Sequence, residues 1–312
     1  MPAFPDFKLN PWEGGSLQQP APPRRLIVVR AGPGTVHKNW YSSDTHAEFD
    51  VAVSYYGDGE YIPQNGEFVH YFKGGKWEGI FDFFIKNPRF LSEYTHIWLP
   101  DDDIVTNTKE IHRLFKITEA RALQLCQPSL SWESYYSHVI TLQNRSFELR
   151  YTNFVELMAP LFTAEALKRV LPLFEGVRFG WGLDKIWSRL LLDPQFGSAI
   201  IDAVAVGHYR PILSGSLYKK GALTPLEEHE QILSRFSVDV SSFRPLVYGG
   251  LGVTSGKRLR GLWLRYKLYS GWKGLRACSF LAPPTRRKSR KVMINVWGCT
   301  QRMPELSPIS IE

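Results

Sequence analysis

Apolar residues fall along this chain in two rhythms, and their alternation predicts the fold. Short β-branched runs at Arg25–Arg30, Phe49–Tyr56, Tyr94–Leu99 and Ala199–Gly207 read as strands. Between them lie stretches with three-to-four spacing. Lys76–Asn87 places Trp77, Ile80, Phe81 and Phe84 on one face, and Asn107–Arg121 does the same with Ile111, Leu114, Phe115 and Thr118. Thr163–Phe174 opens on a capping signal at Thr163, and another helix runs from the loop Gly180-Trp181-Gly182-Leu183-Asp184 to Leu192. Shorter strands are expected at Leu123–Cys126 and His138–Leu142, while Thr152–Pro160 is apolar around the single acid Glu156. Strands alternating with helices over residues 25–213 predict an α/β sheet with helical flanks.

Ligand residues in such sheets gather at the carboxyl ends of strands. Three polar clusters occupy such ends: Tyr56-Gly57-Asp58, the triplet Asp101-Asp102-Asp103, and His208. Residues 1–24, rich in Pro, Gly and Gln, read as a flexible arm, and residues 214–312 as an extension of different character.

Composition narrows the class. A chain of 312 residues with 44% hydrophobic content can bury one large α/β core or two small ones. Aromatics at 14%, ten Trp among them, suit a core, a sugar-stacking surface or a membrane interface. Cys126, Cys278 and Cys299 show no metal-ligand or redox spacing, which points to a reducing compartment. The first residues lack a basic region followed by an apolar run, and no stretch approaches the roughly 18 apolar residues of a spanning helix. A cytoplasmic protein is expected, with peripheral contact to the inner face of the membrane left open.

The formal charge of +8 is unevenly distributed. No acid occurs between Asp239 and Glu305, whereas that stretch holds 14 of the 38 Lys and Arg. The rest of the chain is therefore net acidic. Within 257–291, basic residues interleave with Leu262, Trp263, Tyr266, Tyr269 and Trp272, a pattern suited to an anionic membrane surface and equally to folding onto the body of the protein. The run 286–291 alone reads as a solvated basic loop.

The triplet is the first candidate for chemistry. Three adjacent carboxylates repel one another, and a divalent cation such as Mg²⁺ or Mn²⁺ bridging to a diphosphate would relieve that repulsion. A solvated turn with Asp103 as a helix cap is the plainer reading. In the GWGLD loop, Trp181 offers a flat face for a sugar and Asp184 a general base; the plainer reading makes Trp181 core and Asp184 a first-turn acid. His208 is either a structural strand-end residue or a further metal ligand. Lys73-Gly74-Gly75-Lys76 can meet phosphate but lacks the longer phosphate-binding loop pattern.

The succession YYGD, KGGKW, WLPDDDI, QPSL, SHVIT, YTNFVELMAP, GWGLD and IIDAVAVGHYRP resembles the domain of unknown function 707 family over residues 25–213. That family in turn resembles GT-A glycosyltransferases. The resemblance implies a Rossmann-like mixed sheet and transfer of a sugar from a nucleotide-diphosphate donor, a UDP-sugar, to a glycan or glycolipid hydroxyl. Asp101 and Asp103 would be the metal-binding pair of a DxD motif, with Asp102 against ribose or sugar and His208 completing the metal site. Trp181 would bind sugar and Asp184 would act as base. The loop departs from the pattern in having Leu183 where a small residue is usual and a single acid after it, which leaves Glu156 as the alternative base. Arg30, Tyr55, Asp58 and Lys76 would lie near the nucleotide. Two other functions compete: a metal-dependent phosphoesterase or nuclease, and a carbohydrate-binding protein without turnover. Nucleic acid is the less favoured partner, because a two-metal site wants more strand-end carboxylates than the sequence offers.

Overall fold

The computed structural model describes residues 24–272 apart from 42–45, 65, 195, 212–222, 239–242 and 254–255. The expected arm at 1–23 and the basic run at 286–291 lie outside the described residues.

The first half of the chain forms β1 (Arg25–Ala31), β2 (Asp50–Tyr55), β3 (Phe68–Tyr71), α1 (Lys76–Lys86), α2 (Arg89–Glu93), β4 (His96–Trp98), β5 (Ile104–Val105) and α3 (Thr108–Ala120). There follow β6 (Leu125–Leu130), β7 (Phe147–Thr152), β8 (Leu161–Thr163), α4 (Ala164–Val170), α5 (Leu183–Ile186), β9 (Ser198–His208), α6 (Pro225–Arg235), β10 (Val247–Gly252), β11 (Arg258–Leu259) and α7 (Gly261–Trp272).

Among the described residues one sheet runs β11-β10-β7-β9-β6-β8-β4-β1-β2-β3, with β5 pairing to β9. The β3-β2-β1-β4 half is parallel throughout. Beyond β4, β8 enters antiparallel to both its neighbours, β6 and β9 run parallel to each other, and β7, β10 and β11 are antiparallel. The molecule is thus an α/β fold around a mixed sheet.

The continuous apolar run of β1 reflects burial on both faces. Ile27, Val29 and Ala31 join one core with Ile111, Leu114 and Phe115 of α3. Leu26 and Val28 join the opposite core with Trp77, Ile80 and Phe84 of α1 and Leu167 of α4. The caps follow their sequence signals. Asn107 accepts from the Glu110 amide at the start of α3, and Thr163 from the Ala166 amide at the start of α4.

Four expectations change. The strand read at 123–126 is β6 and continues through Pro128, which the strand tolerates because its register to β9 shifts between Pro128 and Ser129. The expected strand at 138–142 is a 3-10 turn over Val139–Thr141. The strand itself is β7, whose Glu148 and Arg150 disguise it as an exposed segment. The helix expected to end at Phe174 gives way to a 3-10 turn at Leu171, with Pro172 in its first turn. The helix after the GWGLD loop is α5 followed by a 3-10 turn over Trp187–Leu190.

The sheet also continues past the boundary expected at 213, because β10 and β11 extend it beyond β7. Ile232 of α6 enters the α1 core, and Leu264 and Leu268 of α7 close a third cluster with Ile140, Phe147 and Phe154. Among the described residues no helix is long and apolar enough to cross a membrane.

Candidate functional site

The order of the parallel strands reverses between β1 and β4, so the loops that leave their carboxyl ends diverge and open a crevice there. The triplet enters this crevice directly after β4, with Asp101 bridging to Arg30 at the end of β1. Its three acids do three different things. Asp102, buried, accepts from the Gly32 amide and the Tyr56 hydroxyl through Oδ2, both at 3.2 Å, and from Arg210 through Oδ1 at 3.1 Å. Its carbonyl accepts from the Val36 amide at 2.8 Å, so Asp102 fastens the loop that follows β1. Asp101 turns to the Lys76 ammonium at 2.6 Å, which also donates to the carbonyls of Leu157 and Met158 at 2.7 and 3.1 Å. Burial nevertheless pushes the Asp101 carboxyl above its ordinary range.

Asp103 faces His208, with Oδ2 3.3 Å from Nε2 and 3.9 Å from Nε of Arg210. Burial opposes ionisation of Asp103, but the hydrogen bond and charge of His208 outweigh it and leave the carboxyl below its usual pKa. Desolvation likewise works against His208, and Asp103 overcomes it, raising the imidazole to about 9. Nδ1 of His208 donates to the Tyr135 carbonyl at 3.0 Å, a contact that orients the ring and aims Nε2 at Asp103. The other carboxylate oxygen of Asp103, Oδ1, is buried and has no partner.

Next to this pair lie two more buried acids. Burial lifts Glu156 to about 8, with the neighbouring charge of Asp184 adding to the rise and His208 opposing it. Burial lifts Asp184 to about 7 against the pull of Lys185. Each acid keeps one buried oxygen without a partner, Oε2 of Glu156 and Oδ1 of Asp184. Paired structural carboxylates do not leave oxygens unsatisfied in this way, whereas groups waiting for a proton or a ligand do.

The loop carrying Asp184 is built to one shape. Gly180 and Gly182 sit at φ of 83° and 106°, and side chains there would strike Trp77 and His229 respectively. A carboxylate from α6 holds the segment in place. Glu228, 2% exposed, accepts the amides of Arg178, Phe179 and Gly180 at 2.7–2.8 Å. Lys185 lies 3.0 Å from His229 of the same helix. Trp181 is half-buried beside this loop.

The structure therefore brings Asp101, Asp103, His208, Glu156 and Asp184 into one neighbourhood. Other sequence candidates go elsewhere. Arg30 is buried and spends its guanidinium on the carbonyls of Ser54, Phe72 and Gly74, so it holds β2 to the β3–α1 loop and does not face the crevice. Tyr55 packs against Tyr61 and Tyr71, and its neighbour Tyr56 points to the site instead. Asp58 is exposed and paired to Lys73 at 2.6 Å. Tyr56 belongs to the strand-end cluster already singled out in the sequence, and Arg210 was within reach, two positions from His208. Glu228 gave no signal, because it stands in the charged run Glu227-Glu228-His229-Glu230 and reads as solvated surface.

A Ser-His-Asp arrangement elsewhere is inert by its surroundings. Ser54 Oγ lies 2.7 Å from His70 Nδ1, and His70 Nε2 lies 2.8 Å from Asp82. Ser54 is fully buried and its hydroxyl already accepts from Arg30 at 2.9 Å, so no substrate carbonyl can reach it.

A family model described as "Protein of unknown function (DUF707)" matches residues 49–248. The chain belongs to that family. The match begins later than the sequence resemblance and runs through α6, so this DUF707 region includes Glu228. No curated protein matches. Among solved structures, S. aureus TarS 1–349 in complex with UDP-GlcNAc is similar with a TM-score of 0.44 and 10% identity, over 88% of this chain and 80% of that one. The same TarS fragment in complex with UDP is similar with a TM-score of 0.38 and 12% identity, over 70% of this chain and 72% of that one. A Desulfovibrio desulfuricans G20 structure described as a nucleotide-diphospho-sugar transferase gives a TM-score of 0.33 at 10% identity, over 70% of this chain and 100% of that one.

For a divalent cation, the residues of this DUF707 chain fit in part. Among the described residues no three His, Cys, Asp or Glu side chains converge to hold a metal by themselves. The expected set of Asp101, Asp103 and His208 is reduced to the last two, because Lys76 already neutralises Asp101. Asp103, with its unpartnered Oδ1, and His208, its Nε2 aimed by the Tyr135 carbonyl, offer two ligands, and diphosphate oxygens and water would have to supply the rest.

Proposed function

We propose that this protein is a glycosyltransferase of GT-A type, moving a sugar from a nucleotide-diphosphate donor to a hydroxyl of a glycan or glycolipid. The observation that carries the reading is the pairing of two unlike sites in one crevice. One is Asp103 with His208 at the β1/β4 switch point; the other is the pair of unsatisfied, raised-pKa carboxylates Glu156 and Asp184 beside it.

The donor diphosphate lies against Asp103 and His208; these two residues would hold a Mn²⁺ or Mg²⁺ ion, which would supply neutralising charge for the departing nucleoside diphosphate. Arg210 and Lys76 add fixed positive charge around the same oxygens. Asp102 takes no part in ligand binding: it holds the Gly32–Val36 loop, which forms one wall of the donor site. The sugar lies on the exposed face of Trp181. Asp184, raised to about 7, takes the proton of the acceptor hydroxyl as the acceptor oxygen bonds to the anomeric carbon and the bond to the diphosphate breaks, its electron pair leaving with the nucleotide. Glu156, still protonated at neutral pH, lies next to it, its own carboxyl raised by burial and by the charge of Asp184. This chemistry needs a carboxylate kept near neutrality by burial, which a binding module without turnover does not.

The test is calorimetric titration of UDP and other nucleoside diphosphates with and without Mn²⁺, followed by nucleotide release from sugar nucleotides. Metal-dependent binding that Asp103→Ala abolishes supports the reading. Turnover of a plain phosphodiester, or no binding of any nucleoside diphosphate, overturns it.

A further inference from the structure

We infer that α7 and the basic groove beside it form a docking surface for an anionic phospholipid bilayer. The inference is independent of the donor chemistry above.

The first observation is a helix with apolar residues on two faces. Leu264 and Leu268 point inward, 1% and 7% exposed, and pack with Ile140, Phe147 and Phe154. Leu262, Trp263 and Tyr266 point outward, 80%, 68% and 58% exposed, with the Trp263 and Tyr266 rings edge to face at 6.2 Å. A helix that is apolar on both sides sits between two apolar media, and the protein core accounts for only one of them. Trp and Tyr are the residues that settle at the headgroup level of a bilayer.

The second observation is charge. A groove of about 890 Å³ runs between α3 and the ends of β7 and β9, lined by Lys109, Arg113, Lys116, Arg121 and Arg145 among others. On α3, Lys109 and Arg113 stand four residues apart, a spacing at which like charges destabilise an isolated helix. Two carboxylates also line the groove, but Glu148 is taken by Arg121 and Asp202 by Arg150, while Lys109 and Arg113 are exposed. An anionic surface supplies the counter-charge.

The two features adjoin. Arg145 lines the groove, and its neighbour Asn144 donates to the carbonyls of Lys267 and Leu268 in α7 at 3.5 and 3.4 Å. Val253, 60% exposed, lines the groove as well, and its amide donates to the Ser146 carbonyl. Exposed Arg258 and Arg260 lead into the helix, and the sequence carries no acid from 240 to 304.

Co-sedimentation of the full chain with vesicles of phosphatidylcholine, with and without about 30% phosphatidylserine, tests the assignment. The expected result is binding to the anionic vesicles alone, weakened by salt. Leu262→Ser with Trp263→Ser should cut it at least tenfold, and Arg113→Glu with Lys116→Glu by a similar factor. All four positions are exposed, so the variants keep the fold, which unchanged circular dichroism verifies. Equal binding to neutral vesicles, no binding by the wild-type chain, or binding untouched by the Leu262/Trp263 pair would overturn the inference. So would a wild-type dimer that the Leu262/Trp263 pair converts to monomer, because the outer face would then belong to a second copy.

Discussion

Two buried acidic centres lie in this sheet and could hardly differ more. Asp202 on β9 and Arg150 on β7 are both fully buried, and every polar atom of the pair is answered. Arg150 gives two hydrogen bonds to the Asp202 carboxylate and two to the carbonyls of Ile140 and Leu142, while the Asn144 amide donates to Asp202. Glu156 and Asp184 are buried to nearly the same degree, yet each keeps an oxygen with no partner. A satisfied buried charge holds a fold together, whereas an unsatisfied one costs stability and persists where chemistry needs it. The difference separates scaffold from site more sharply than burial or residue type.

The comparison breaks most decisively at Arg150. Arg150→Ala leaves Asp202 buried without its partner and should cost about 3–5 kcal/mol, read as a lower urea midpoint. A loss under about 1 kcal/mol would mean the pair is not structural.

Glu156→Gln should act in the opposite direction. The Glu156 carboxyl rises from an ordinary 4.5 to about 8, so between those pH values the folded state holds a proton that the unfolded state has released. Its contribution to stability therefore falls as pH climbs from about 4.5 to about 8 and is flat above. Gln removes that slope. At pH 9 the variant should be more stable than the wild type by an amount on the order of a few kcal/mol, and at pH 4 nearly equal to it. Parallel pH–stability curves for the two proteins would refute the assignment. Asp184→Asn should show the same effect over the lower window from 3.8 to about 7, together with loss of sugar transfer.

A smaller effect is expected at Asp103. Asp103→Asn removes charge beside His208 and should weaken Mn²⁺-dependent binding of a nucleoside diphosphate by roughly 10- to 100-fold. It should also return the His208 imidazole from about 9 toward its ordinary 6.5, visible as an NMR titration shift. The smallest change is Gly182→Ala. The φ of 106° and the His229 ring 2.7 Å from the new methyl should cost about 1–2 kcal/mol and loosen the 180–184 loop, seen as faster amide exchange there.

Much of the scaffold was legible because its apolar periods are clean. The buried face of α3 follows from spacing alone, the start of α4 from its cap signal and β1 from its β-branched run. What escaped was the half of the sheet where polar residues are buried: β7 hides behind Arg150, and β6 behind Pro128. The site shows the same division. Asp103 and His208 follow strands, Asp184 lies on a glycine-shaped loop and Glu156 is the single acid of an apolar stretch, so local pattern singles them out. The roles within Asp101–Asp103 were not legible, because which acid faces which cation depends on Lys76, Gly32 and Arg210, brought together from 25 to 108 positions away. Arg30 misled for the related reason that a strand-end arginine reads as a ligand group until its carbonyl partners are seen.

The clasp between Glu228 and the amides of 178–180 has a consequence for the order in which this protein is made. The carboxylate that fixes the Asp184 loop lies 50 residues downstream of the first amide it holds. On the ribosome, β1 to β9 are available for pairing before α6 has been synthesised, and until then those three amides have no acceptor. The crevice thus acquires its final shape only when translation has passed residue 228. A chain released at 213 would own every residue the triplet touches and still lack the clasp that finishes the site.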